Sequence, residues 1–135
     1  MHRLLRTCLT FALAVAAVSA SADPGDVFYV DVNNRSGVED GLTWSTAFRT
    51  VQEGIERARI SFGGEVWVAR GTYDELRTAN GGVLLLRPTV DLYGGFAGTE
   101  VLRSQRDPLA NPTIIDGSRA DNGQPVAPVV QGAAD

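Results

Sequence analysis

The chain has 135 residues, enough for one domain, and a formal charge of −4. Its only Cys and only His, Cys8 and His2, fall within the first eight residues, and every basic residue is Arg. An acidic chain without a basic stripe argues against nucleic acid and against anionic membrane as partners.

The first segment reads as a signal peptide over residues 1–22. Arg3 and Arg6 make a positive start, Thr7 to Val18 is apolar, and Ala20-Ser21-Ala22 supplies small residues before Asp23. The apolar run is shorter than the roughly 20 residues a spanning helix needs, so a membrane anchor is the weaker reading. Cys8 precedes the apolar core, which argues against a lipoprotein cleavage site. Cleavage removes Cys8, His2 and both leading arginines, and the formal charge becomes −6. The mature chain is then expected to be secreted, or placed in the cell envelope, with no transmembrane segment. It has no residues for Ser-His-Asp or Cys-His catalysis, nor for a Cys/His zinc site.

Two regions are expected after cleavage. Residues 23–64 hold a strand, a loop and a helix; residues 65–135 hold further strands. Val27 to Val32 is β-branched and aromatic, and ends at the turn pair Asn33-Asn34, which predicts a strand. The loop that follows is rich in oxygen ligands: Asp31, Asn33, Asn34, Glu39 and Asp40. Calcium is conceivable there, but Arg35 breaks the EF-hand spacing and Asx turns account for the same residues. No other cofactor is expected.

Trp44 to Phe62 is the one helical stretch. Trp44, Phe48, Val51, Ile55, Ala58 and Phe62 recur at three- and four-residue steps as one apolar stripe. Thr50 with Glu53 fits a capping box, so the regular helix is expected from Thr50, with an approach turn before it. Arg57 and Arg59 complement the helix dipole, and Gly63-Gly64 ends the helix.

Glu65 to Ala69 is a strand closed by Gly71-Thr72-Tyr73. Leu84 to Leu86 lies in a short apolar run before Pro88. Thr89 to Tyr93 is a strand ending in Gly94-Gly95. Phe96 to Pro112 is a long polar excursion, and Thr113 to Ile115 returns as a strand. Val66, Val90 and Ile114 stand 24 residues apart, and Gly71, Gly94 and Gly117 stand 23 apart. Such a period suggests a parallel β-solenoid, with Val90 to Gly117 as one complete coil. An antiparallel sandwich is the competing arrangement. In the solenoid, the helix is placed to cap the first coil.

Several motifs occur in a fixed order. They are Tyr29-Val30-Asp31, Asp40 to Phe48, Val66 to Tyr73, Tyr93 to Glu100, Arg106-Asp107 and Asn111 to Gly117. In this order they resemble the N-terminal region of secreted bacterial right-handed parallel β-helix proteins of the pectin lyase-like superfamily. The resemblance spans essentially the whole mature chain. It implies a mainly β fold: the start of a right-handed parallel β-helix with an N-terminal capping α-helix. It also implies further coils, so the present chain, ending inside a rung, reads as a truncated product. Family lyases and hydrolases place their catalytic groups on middle rungs, so no catalytic residue is carried over.

The remaining polar and aromatic residues are weighed singly. Asp116 could pair with Asp91 if their strands stack, as two-carboxylate glycosidases require. Glu100, Arg103, Arg106 and Asp107 cluster in the excursion, either as a binding loop or as an internal salt-bridge network. Trp67, Tyr73 and Tyr93 are candidates for a sugar-stacking face. The expected binding surface is therefore Trp67, Tyr93, Glu100, Arg103 and Arg106. The expected role is non-catalytic adhesion or polysaccharide binding; the alternative is the N-terminal part of a polysaccharide lyase or hydrolase.

Overall fold

A computed structural model describes residues 25–75, 84–118 and 130–132. The expected signal peptide at 1–22 lies outside the described residues, as does most of the polar loop before Leu84. Among the described residues, no helix is long and apolar enough to cross a membrane.

Over the described residues the fold is mainly β, with one α-helix. Among the described residues there are seven strands: β1 (Val27–Val30), β2 (Gly64–Ala69), β3 (Gly71–Tyr73), β4 (Leu84–Leu86), β5 (Val90–Phe96), β6 (Thr113–Ile115) and β7 (Val130–Gly132). They form three sheets, ordered β1-β2-β5, β3-β6 and β4-β7, and every pairing is parallel. An antiparallel sandwich is thereby ruled out for the described strands. β2, β3 and β4 each pair with the strand three strands later in the chain.

This pairing corrects the expected period. Glu65 lies opposite Asp91, Gly71 opposite Thr113, and Leu84 opposite Val130, so the step differs in each sheet. Ile114 is the neighbour of Thr72, not of Val90. The stretch from Val90 to Gly117 is therefore not a full coil; it supplies one strand to each of two sheets. The even spacing compared residues that are not register partners: Val90 lies opposite Gly64, and Ile114 opposite Thr72. Gly71 to Tyr73, read as a closing turn, is itself a strand.

The helix α1 spans Val51–Ile60. Thr50 caps it, its hydroxyl oxygen accepting from Glu53 N at 3.3 Å. The Glu53 carboxylate accepts the Thr50 hydroxyl proton at 2.6 Å. A second carboxylate, Glu75, accepts the N–H groups of Val51 and Gln52 at the same terminus. Negative charge there is favoured by the helix dipole. Trp44–Thr46 forms a separate 3-10 turn ahead of the helix.

The buried face of α1 is Val51, Gly54, Ile55 and Ala58. It packs with Phe28 and Val30 of β1, Val66 and Val68 of β2, Tyr73 and Leu84 in one core. Gly54 permits that approach: a Cβ there would lie 2.7 Å from Val30 Cγ2 and 2.9 Å from Val66 Cγ1. Gln52 also ties α1 to β4, accepting from Leu85 N at 2.8 Å. Glu56 pairs with Arg87 just beyond β4 at 2.8 Å.

The apolar stripe is shorter than its sequence pattern. Trp44 joins a different cluster, and Phe62 is 96% exposed. Phe62 sits where the helix ends, at φ 67°, in the left-handed conformation that Gly usually takes. Gly63 N bonds to Ala58 O at 2.9 Å and Phe62 N to Arg59 O at 3.2 Å, as in a Schellman ending. That backbone turn points the ring away from the core.

The free edge of β1 is sealed. Phe48 forms a parallel bridge with Val30, and Tyr29 N bonds to Gly41 O at 2.9 Å. Buried Asn34 holds this covering loop, donating to Val38 O at 2.8 Å and Ala47 O at 2.6 Å. Unpaired strand edges template association, so such a cover has a clear physical use.

Candidate functional site: a cleft on the outer face of the first sheet

Side chains alternate across a strand. On β2, Val66 and Val68 face α1, so Glu65 and Trp67 face the other way. Tyr29 on β1 and Asp91 and Tyr93 on β5 share that outer face, because Tyr29 pairs with Trp67, Glu65 with Asp91, and Trp67 with Tyr93.

A bulge then changes the pattern on β5. Trp67 pairs with Tyr93, yet Ala69 pairs with Phe96. The extra residue lies at Gly94-Gly95 and turns Phe96 onto the outer face. Gly95 has φ 94°, and a Cβ there would lie 2.8–2.9 Å from Pro108 atoms. Phe96 stacks on Trp67, with centroids 4.8 Å apart and planes 7° apart. Trp44 and Tyr29 complete the cluster, their centroids 4.7 Å apart. Burial raises the Tyr29 pKa.

The excursion after Phe96 folds back over this face. Asp107 N bonds to Gly95 O at 2.8 Å, and Trp44 Nε1 donates to Glu100 O at 2.9 Å. Arg106 Nη1 donates to Gly94 O at 2.9 Å. Arg103 Nη1 donates to Glu65 Oε1 and, at 3.1 Å, to the Tyr93 hydroxyl. Both guanidinium groups lie over the Tyr93 ring, at 4.9 Å and 5.6 Å. The result is a cleft of about 1090 Å³ between the sheet and the excursion.

Glu65 is the hub of the cleft. It is 6% exposed, and its second oxygen accepts from Trp67 Nε1 at 2.7 Å. A buried carboxylate is costly unless paired, and Arg103 is its charge partner. Asp91, its neighbour on β5, is exposed at the cleft floor. Adjacent strands lie about 4.8 Å apart, so Glu65 and Asp91 are neighbouring positions on one face of the sheet.

Of the five expected surface residues, four line this cleft: Trp67, Tyr93, Arg103 and Arg106. Trp67 faces outward as its alternation implies, but it is 3% exposed, covered by Phe96 and the excursion. It offers no stacking platform. Glu100 has a different job. Its carboxylate accepts from Ala97 N at 2.6 Å, Gly98 N at 3.0 Å and Thr99 N at 2.9 Å. Burial opposes its ionisation, yet these N–H groups prevail and hold its pKa below the ordinary glutamate value.

The expected salt-bridge network within the excursion is also replaced. Asp107 accepts from Leu109 N and Ala110 N, both at 3.0 Å, as a turn cap. Arg103 pairs instead with Glu65, across the sheet. Asp116 and Asp91 do not meet, since one follows β6 and the other lies on β5. Asp116 Oδ1 accepts from Ser118 N at 2.8 Å. Tyr73 points into the core, its hydroxyl donating to Ala69 O at 2.9 Å and accepting from Val32 N at 3.3 Å.

Tyr29 and Glu65 are not weighed as site residues in the sequence, and Asp91 only as a partner for Asp116. The signal for Glu65 was present, because it stands two residues before Trp67 and shares its face. For Asp91 and Tyr29 the signal is strand register, which only pairing reveals.

The oxygen-rich loop forms three Asx turns. Asp31 Oδ1 accepts from Asn33 N at 2.8 Å, Asn34 Oδ1 from Ser36 N at 2.9 Å, and Asp40 Oδ1 from Leu42 N at 2.9 Å. Among the described residues, no three His, Cys, Asp or Glu side chains converge as a metal site. A smaller cavity of about 430 Å³ opens near the start of α1, beside Glu39, Glu53 and Glu75. Glu39 accepts from Arg49 N at 3.2 Å there. Comparison with models of protein families, with curated proteins and with solved structures finds no match.

Proposed function

We propose that this chain forms the opening coils of an exported right-handed parallel β-helix protein that binds polysaccharide at a cell surface or outside the cell. Export is supported by the leader pattern at residues 1–22. The coil reading is supported by parallel partners three strands apart in three separate sheets, as successive coils of a solenoid would stack. Helix α1, packed on the inner face of the first sheet ahead of β2, suits the role of cap. The resemblance to the pectin lyase-like superfamily points the same way.

The observation that carries the binding role is the cleft between the first sheet and the excursion. Its lining comes from three neighbouring strands and the excursion, and includes charged and hydroxyl-bearing residues. Polar groups that converge in a concave surface are the usual makings of a ligand site. Affinity electrophoresis of the secreted chain through gels containing soluble polysaccharides tests the role. Retardation in at least one gel is expected, and unaltered mobility in all of them defeats the reading.

One observation favours an enzymatic alternative, a lyase or glycoside hydrolase: two carboxylic residues, Glu65 and Asp91, are register partners on one face of the sheet. Against it, both Glu65 oxygens are already engaged, one by Arg103 and the other by Trp67. Release of reducing ends or of unsaturated products from those polysaccharides would favour the enzyme.

A further inference from the structure

The charges in the cleft cancel. Glu65 and Asp91 contribute two negative charges, and Arg103 and Arg106 two positive ones. Glu65 and Arg103 are committed to each other. Arg106 lies over Tyr93 and donates to Gly94 O. Asp91 differs: it is exposed, and among the described residues no hydrogen bond or ion pair engages its carboxylate. The hydroxyls of Thr89 and Ser104 lie in the same lining, and Val101 and Leu102 form an exposed aliphatic lip.

Flat stacking is closed off, since Phe96 covers Trp67 and two guanidinium groups cover Tyr93. A polyanion would meet Asp91 and find one of the two arginines already paired. A carboxylate with free lone pairs suits hydroxyl donors, and hydrogen bonds to a charged group are the stronger kind.

We propose that the cleft takes a neutral, hydroxyl-rich saccharide chain, with sugar hydroxyls donating to Asp91 and C–H faces lying on Val101 and Leu102. This rests on the polysaccharide-binding reading and names its ligand class.

The test titrates the secreted chain with three probes: a soluble neutral glucan, a neutral galactomannan and polygalacturonate. Asp91→Asn is compared with the parent, and near-UV circular dichroism checks that its fold is kept. A neutral probe is expected to bind, and Asp91→Asn to weaken it about tenfold or more. Affinity should hold as ionic strength rises from about 0.05 to about 0.5 M, because a neutral ligand has no charge to screen. A preference for polygalacturonate, strengthened by Asp91→Asn, overturns the ligand class and leaves polysaccharide binding standing. Neutral binding that is indifferent to Asp91→Asn overturns the assigned contact. No binding by any probe defeats both readings.

Discussion

Arg103, in the excursion, places its guanidinium against the carboxylate of Glu65, on the central strand of the first sheet. The contact joins residues 38 positions apart and holds the roof of the cleft to its floor. Glu65 is buried while the Arg103 side chain is half exposed, so the two ends of the pair are not equivalent.

Arg103→Ala leaves a buried carboxylate with Trp67 as its remaining side-chain partner. The expected loss is about 2 kcal/mol, within the range for an orphaned charged group and reduced because Arg103 is half exposed. Glu65→Gln keeps an acceptor for Trp67 and should cost less. The double substitution should cost less than the sum of the two, giving a coupling of about 1 kcal/mol or more. Urea unfolding followed by tryptophan fluorescence measures all three, and strict additivity would count against the pair.

Gly95→Ala tests the bulge. The new methyl group meets Pro108 Cα and N, and φ 94° is strained for any L side chain. Loss of about 1–3 kcal/mol is expected, together with a reduced near-UV signal as Phe96 leaves Trp67. An unchanged spectrum would show that the stack does not depend on the bulge.

Phe62→Gly should stabilise the protein by about 0.5–1 kcal/mol. The ring buries almost nothing, and Gly takes the left-handed ending of α1 without strain. A melting temperature that falls on this substitution would mean that the exposed ring makes a contact of value.

Acid stability should depend on Glu100. Its folded pKa lies below the ordinary value near about 4.3, so its contribution is present above that pH and is lost as pH falls through the folded pKa. Glu56 behaves alike: burial resists its ionisation, and hydrogen bonds from Arg59 and Arg87 outweigh it. Glu100→Gln should flatten the acid limb of the stability curve relative to the parent. At the alkaline end, burial holds the Tyr73 proton, so stability should decline once pH exceeds about 10, where the unfolded tyrosine ionises.

Calcium should leave the melting temperature unchanged. The loop oxygens of Asp31, Asn34 and Asp40 accept backbone N–H groups in Asx turns. Thermal melts with calcium and with a chelator check this. A rise of several degrees with calcium would establish a site.

Much of the local structure was legible in the sequence because its causes are local. Val27 to Val30 and Glu65 to Ala69 have the residues that suit a pleated, half-buried surface. Thr50 and Glu53 marked the start of α1 because a cap bonds within one turn. Four of the residues picked for a surface do meet in one cleft, since alternation and the polarity of the excursion put them on one side. Phe62 was misread because periodicity counts apolar positions without knowing where the backbone turns, and Tyr73 because a turn was expected where the chain forms β3 and buries the ring.

Sequence by itself determined most of the strand segments, the body of the helix, its cap, and the outward side of Trp67. Each follows from propensity, short-range hydrogen bonds or the two-residue alternation of a strand. Only tertiary structure decided that Glu65 faces Asp91, that Ile114 faces Thr72, and that Arg103 closes the excursion onto Glu65. Register depends on which strands meet, and that is set by how the intervening loops and the Gly94-Gly95 bulge place them, not by spacing along the chain.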